Sequence, residues 1–267
     1  MTDPRIQARR VTVARQAGRS RRRRILAGLA GSALCVLGLA LVHSSFLGAR
    51  HVQVFGAPNI EASTVIAAAG LEGAPPLVDL NPASIASRVE RLPWVLSAGV
   101  RIAWPSTVAI NVTERTPVAA VSVPGASLSY AICDVTGRVL EVVSRRPRSL
   151  PVVVLGGRGA GVPGGPGSSL PPQDRAELDV AAAMPESMVA ATKGIFPSSD
   201  GVLLALQHGP EAIVGDSSSL HEKFVALATV LAHGGLGGTG AIDLRVPSAP
   251  VLLPKGPSPI VAGILGG

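Results

Sequence analysis

The sequence predicts an α+β protein with one N-terminal apolar helix, a β-α-α-β-β unit, and a second region of short strands with flanking helices. Three observations carry this. Nine arginines crowd residues 1–24, and an uncharged, mostly apolar stretch follows from Ile25 to Leu47. Between residues 51 and 115, segments that alternate with period two bracket two stretches bearing helix signals. From Pro117 onward the strands shorten and turn residues multiply.

The apolar stretch comes first in the chain and decides the topology. At ~1.5 Å rise per residue, the part from Ile25 to Val42 makes a rod of about 27 Å, and the whole segment to Leu47 about 34 Å. A bilayer core is ~30 Å thick, so residues 25–47 are expected to cross it once. The flanking charge sets the direction. Cationic flanks stay in the cytoplasm, which places the tail of residues 1–24 inside and residues 48–267 outside the membrane. A cleaved secretory signal is the alternative. Its apolar core runs ~7–15 residues and ends at a small-x-small site. Here the run is longer, and Leu47-Gly48-Ala49 has the wrong first residue.

Charge excludes one class of partner. The formal net charge is +7, but nine arginines against Asp3 give the tail +8, which leaves −1 for the rest. The outer portion therefore has no phosphate-binding footprint, and no nucleic-acid partner is expected. The two cysteines, Cys35 and Cys133, fall on opposite sides of the expected membrane boundary, so no disulfide framework, metal cluster or other cofactor is expected. Cys133 reads as a half-buried strand residue.

Element by element, His51 to Gly56 alternates and reads as a strand. Pro58-Asn59 opens a short helix that Gly70 closes. Asn81-Pro82 supplies an N-cap and a first-turn proline, and Ile85, Val89 and Leu92 form one apolar face before Pro93. Strands follow at Val95–Ala103 and Thr107–Arg115 across a Trp104-Pro105-Ser106 turn. Glu114-Arg115 reads as a surface ion pair worth roughly 0–1 kcal/mol, or as a junction between the two outer domains.

Beyond Pro117, strands are expected at Val118–Val123, Tyr130–Cys133, Arg138–Val143 and Val152–Leu155. Residues 156–172, with seven glycines and four prolines, read as a flexible loop. A helix is expected over Gln173–Ala183, with Asp174, Glu177 and Asp179 on a solvated face. Strands near Gly194, at Val202–Gln207 and at Ala212–Val214 come next. Ser219 to Glu222 reads as a capping box, which makes Lys223 a surface or cap residue. The helix it opens carries Leu220, Phe224, Leu227 and Leu231 as its stripe. Ala241–Val246 and Ala249–Leu253 are the last expected strands, and residues 254–267 form a loose tail.

Catalytic chemistry finds little support. Gly159 to Gly164 matches GxGxxG, but Pro163 and Pro166 forbid the helix start that a phosphate cradle needs. His51, His208, His221 and His233 are scattered, and no nucleophile, base and orienter converge. An anchored or secreted cell-envelope hydrolase is kept only as the alternative reading, and no small-molecule substrate is expected.

One run is more specific. Leu92-Pro93-Trp94-Val95, Ala98, Val100, Trp104-Pro105-Ser106-Thr107-Val108, Ile110, Val112, Glu114-Arg115 and Pro117-Val118-Ala119 closely resemble the POTRA domain of the bacterial FtsQ/DivIB cell-division family. Val52 to Gly56 fits the opening strand of that domain. Asp134 to Gly137, Gly215, Lys223, Ala226-Leu227 and Ile242 to Val246 resemble the family's β domain. The resemblance implies a POTRA domain (β-α-α-β-β) at 48–117 and a C-terminal mostly antiparallel β domain at 118–253. It implies a non-catalytic scaffold at the division septum that binds FtsB- and FtsL-like single-pass proteins and, through them, the FtsW/FtsI septal wall synthase. It places the FtsB dock on the C-terminal strand edge, here Arg245, Val246, Ser248, Val251 and Leu252. Plain core strand is the alternative for Val251 and Leu252.

Overall fold

A computed structural model describes residues 26–38, 47–122, 129–155 and 164–256. Residues 26–38 form an exposed helix, α1. Among the described residues no helix is long and apolar enough to cross a membrane. Of the expected 25–47 span, residues 25 and 39–46 lie outside the described residues, as do the basic tail and residues 257–267.

The chain divides into two compact units. One holds the residues up to Gly56 with Glu61–Arg88 and Ala98–Asn111, and the other Ala57–Ile60, Val89–Ser97 and everything from Val112. The division passes through two strands.

The first unit follows the expected order. Strand β1 is His51–Phe55, helix α2 Ala62–Ala69, helix α3 Pro82–Val89, strand β2 Val95–Ala103 and strand β3 Thr107–Glu114. The sheet order is β1-β3-β2. β1 lies parallel to β3, with His51 opposite Thr107 and Phe55 opposite Asn111. Parallel pairing needs a crossover, and α2 and α3 supply it. Val65, Ala69, Leu71, Leu77, Ile85, Val108 and Ile110 are buried as the core of this unit. Helix α3 starts as the sequence specifies, because Asn81 Oδ1 accepts hydrogen bonds from the Ala83 and Ser84 amides at 3.0 and 3.3 Å. Helix α2 ends on Gly70 in the left-handed region at φ 67°. Its start is later than Pro58-Asn59 implies. Asn59 is drawn off by Glu114, to which its amide and Nδ2 donate at 2.9 and 2.6 Å.

The second unit is built on a nine-stranded sheet. Its strands are β4 Pro117–Ser122, β5 Tyr130–Asp134, β6 Val139–Val143, β7 Val152–Val154, β8 Thr192–Ser198, β9 Gly201–Leu206, β10 Glu211–Gly215, β11 Thr239–Asp243 and β12 Val251–Pro254. Their order is β12-β11-β10-β9-β8-β7-β4-β5-β6. Hairpin neighbours pair antiparallel, whereas β4/β7, β7/β8 and β10/β11 pair parallel. Helices α4 (Arg175–Ala183) and α5 (Glu186–Val189) connect β7 to β8, and α6 (Leu220–His233) connects β10 to β11. Leu178, Val180 and Ala181 of α4 and Phe224 and Leu227 of α6 share one buried cluster with Val121, Val153, Ile195, Leu204 and Ile242. The helices therefore cover one face. The other face carries only small clusters, around Ala120, Ile132 and Val152 and around Leu203, Ile213 and Ala241.

Several local expectations need correction. Residues 156–163 of the expected loop 156–172 lie outside the described residues, but its second half is pinned. The Leu170 amide donates to the Gly137 carbonyl and the Gly167 amide to the Val139 carbonyl, both at 2.8 Å, which ties this stretch to the β5–β6 hairpin. The GxGxxG match falls outside the described residues except for Gly164. Ser219 makes no side-chain cap and sits at φ 47°, so no capping box forms. β11 stops at Asp243 rather than Val246. Asp243 Oδ1 accepts the Arg245 amide at 3.0 Å, and this side-chain turn ends the strand.

Candidate functional site

The sheet of the second unit ends on β12, and backbone polarity shows which way its groups point. The Leu244 amide donates to the Ile213 carbonyl at 2.8 Å, turning Ile242 and Leu244 toward β10. By strand alternation, Ala241 and Asp243 turn toward β12. Their partners are Leu253 and Val251, so these two face inward. The Lys255 amide, donated to the Gly238 carbonyl at 3.0 Å, keeps the same phase. Leu252 is left with its N–H and C=O on the open side, and Pro254 with its nitrogen there, while the Pro254 carbonyl turns back at the bulge, where a Cβ added at Gly240 of β11 would lie 2.8 Å from its oxygen. Proline has no N–H to donate, so it fits an outward position on an edge strand. Pro250 stands two residues before Leu252, just ahead of the strand. The edge thus offers the Leu252 N–H as donor between two prolines.

Side chains complete the surface. Arg245, Val246, Ser248, Val251 and Leu252 are all exposed. Val246, Val251 and Leu252 are 57%, 52% and 50% exposed, which contradicts the core-strand alternative for the last two. Leu252 pairs with Ile242 and lies on the helix-bearing face, while Val251 lies on the other. Beside the start of β12, an open groove of about 740 Å³ runs between α6 and residues 247–250, lined by Val225, Ala226, Val230, Pro247 and Pro250.

Arg245 is held rather than loose. Its Nη2 donates to Asp243 Oδ2 at 2.7 Å and its Nε to Asp243 Oδ1 at 3.1 Å, and Asp200 lies 3.8 Å from Nη1. The Arg245 hydrogen bonds draw the Asp243 carboxyl below its ordinary range, outweighing the effect of burial. Its stem packs against Gly215, where an added Cβ would lie 2.8 Å from Arg245 Cγ. Neither Asp243 nor Pro254 was marked by the sequence pattern as part of the edge. Pro254 had a readable signal, since proline within a strand points to an edge.

Comparison with known proteins finds similarity to one group. A family model described as POTRA domain, FtsQ-type, matches residues 47–115. The chain is 29% identical over 217 residues to the cell division protein FtsQ of Mycolicibacterium smegmatis, covering 81% of this chain and 60% of that protein. It is 26% identical over 212 residues to FtsQ of Corynebacterium glutamicum, covering 79% and 90%. Against FtsQ of Mycobacterium tuberculosis the identity is 30% over 200 residues, covering 74% and 60%. Residues 47–115 thus match an FtsQ-type POTRA domain, and the chain is similar to FtsQ cell division proteins over most of its length. It spans about 60% of the length of the two mycobacterial relatives. These relatives are named as cell division proteins.

Other residues singled out in the sequence take roles that suit a scaffold. Arg115 does not pair with Glu114. Its Nη1 lies 2.7 Å from Asp134 Oδ2, with side chains 15% and 5% exposed, and its Nε donates to the Val95 carbonyl at 3.0 Å. Asp134 Oδ1 accepts from Thr136 and from the Arg138 amide, organising the β5–β6 turn. Burial pushes the Asp134 carboxyl up, but the bonds from Thr136, Arg115 and Arg138 and the Arg115 charge hold it below its ordinary value.

Lys223 is not a surface residue. It is 2% exposed, and its Nζ donates to the Asp216 carbonyl at 2.9 Å and to Asp216 Oδ1 at 2.7 Å. The Lys223 bond, with Ser218, pulls the Asp216 carboxyl down to about 2. Asp174 and Glu177 are not on a solvated face either, being 9% and 5% exposed. Burial raises both, and the Asp174 charge adds to the rise at Glu177. Asp174 Oδ2 and Glu177 Oε2 are buried with no hydrogen-bond partner among the described residues. Cys133 is fully buried rather than half-buried, and burial, with the Asp134 charge, pushes its thiol up to about 12. The histidines do not converge. His51 meets Ser106, and His233 Nδ1 meets the Thr229 carbonyl of its own helix.

Proposed function

We propose that this chain is a single-pass scaffold of the bacterial division septum that captures an FtsB-like partner on the open edge of β12. FtsL-like proteins join through that partner, and the FtsW/FtsI synthase of septal peptidoglycan is reached indirectly. Residues 25–47 form the anchor, with the tail of residues 1–24 in the cytoplasm and residues 48–117 and 118–253 outside the membrane. Similarity to the FtsQ cell division proteins supports the division role. The observation that carries the docking reading is a strand edge unpaired among the described residues, whose neighbouring side chains, Val251 and Leu252, are half exposed.

The two prolines refine the mode of capture. A partner strand can take one N–H and one carbonyl, both from Leu252, so the ladder is short. Apolar contacts at Val246, Val251 and Leu252 must supply the rest, and the groove beside α6 extends them. Arg245 and Ser248 form the polar rim.

Co-purification from cell membranes with the FtsB-like partner tests this. Leu252→Pro removes the outward donor without removing a ladder bond to β11, and Leu252→Glu places a charge in the apolar patch. Both variants are expected to fold and to lose the partner. Retention of the partner by either variant would rule out this dock. Depletion of the chain should give filamentous cells without septa, and normal septation would contradict the division role.

A further inference from the structure

We infer that the tip of the β2–β3 hairpin, with Trp104 at its apex, seats in the headgroup layer of the membrane that holds residues 25–47. This rests on the anchored reading above and goes beyond it, since the anchor needs no second contact. Trp104 is 59% exposed, an unusual state for the largest apolar side chain in a unit short of aromatics. Ala103 and Pro105 on either side are also exposed.

Position gives that exposure its meaning. β1 runs parallel to β3, so the hairpin tip that precedes β3 lies at the start of β1. The His51 amide donates to the Ser106 carbonyl at 3.1 Å, and His51 Nδ1 lies 3.4 Å from Ser106 Oγ. Only Gly48, Ala49 and Arg50 separate His51 from the apolar stretch. At ~3.5 Å per residue, the hairpin is tied within about 14 Å of its end.

The link is not a loose tether. Gly48 bridges Pro76, the Ala49 amide donates to the Pro75 carbonyl at 2.9 Å, and both residues are buried. The same end of the unit presents Val78, 46% exposed, just beyond that bridge. A bilayer's polar layers add roughly 5–8 Å on each side of its core, and tryptophan is enriched there because its ring is apolar and its N–H finds a partner. Exposed Arg101 precedes Trp104, and no acid lies between Arg101 and Thr107, so anionic headgroups meet no repulsion from the hairpin.

The test uses the full chain reconstituted in phosphatidylcholine vesicles with and without bromine on the upper acyl chains. The chain has two tryptophans, Trp94 and Trp104. They sit at opposite ends of β2, about 30 Å apart along the strand. In Trp94→Phe the remaining emission should be blue-shifted in vesicles and quenched by brominated lipid. In Trp104→Phe that quenching should disappear, and this second variant keeps the test valid should Trp94→Phe misfold, because it is compared with the unmodified chain. A chain that floats with the vesicles while Trp104 stays unquenched would overturn the inference and leave the anchor intact. A chain that fails to float would overturn the anchor, and the inference with it.

Discussion

Arg115 and Asp134 show how a single pair governs the second unit. Both charges are largely withdrawn from water and bonded to each other, with Arg115 Nε also on the Val95 carbonyl. Breaking such a pair leaves one uncompensated charge, so Arg115→Ala should cost about 3 kcal/mol in urea unfolding. The Asp134 carboxyl is held below its unfolded value. Its contribution is therefore fully present above about pH 4 and is lost as pH falls through the depressed folded value. The Arg115→Ala penalty should shrink over that acid window. Glu177 behaves in the opposite sense. Its folded value is raised, so folding favours the protonated acid below the ordinary carboxylate range, and that advantage fades as pH rises through the folded value. Glu177→Gln should raise stability at neutral pH by about 1 kcal/mol, with the gain disappearing near pH 4. These roles were hidden in the sequence for a geometric reason. Adjacent residues at a strand end point opposite ways, so Glu114 is a poor partner for Arg115, whose real partner stands 19 residues away. Lys223 was masked in the same way, since the Ser219 signal that placed it at a helix cap is not used.

At the scale of elements, short-range chemistry was legible. Asn81-Pro82 opens α3 and Gly70 closes α2 because cap and left-handed positions are settled within a few residues. The β8–β9 hairpin also depends on one glycine. Gly201 holds φ +101°, and a Cβ there would strike the Gly215 carbonyl. β12 was legible as a strand, whereas its edge position and phase were not, because both depend on the pairing with β11. That phase separates two substitutions that look alike on paper. Val251→Pro deletes an inward N–H and should weaken the β11–β12 ladder, which native-state hydrogen exchange at Asp243 and Ala241 would report as faster exchange. Leu252→Pro should leave that exchange unchanged and still lose the partner. Equal exchange in the two variants would mean that the phase has been misassigned.

For the whole molecule, the asymmetry of charge is the governing property. With residues 25–47 as the proposed anchor, the tail's +8 against −1 elsewhere is expected to leave the folded units outside. Protease added to spheroplasts should therefore digest residues 48–267 and spare a tag fused ahead of residue 1. Protection of the folded units would contradict this topology. Within the second unit, helices α4 and α6 cover one face of the sheet and the other face has only small clusters. Residues 167–169 pair along the start of β6, so among the described residues the β12 edge is the natural recruiting surface, and the prolines around Leu252 limit which strands can add to it.

The sequence by itself determined the tail and apolar run, the β-α-α-β-β order, the helix ends at Asn81 and Gly70, and most strands of the second unit. Each follows from composition or from periodicity within a short window. Only the tertiary structure decided that Lys223 and Cys133 are buried, that Asp134 rather than Glu114 answers Arg115, and that Leu252 faces outward between prolines. Those outcomes depend on which strands lie side by side, and strand pairing joins residues that are distant along the chain.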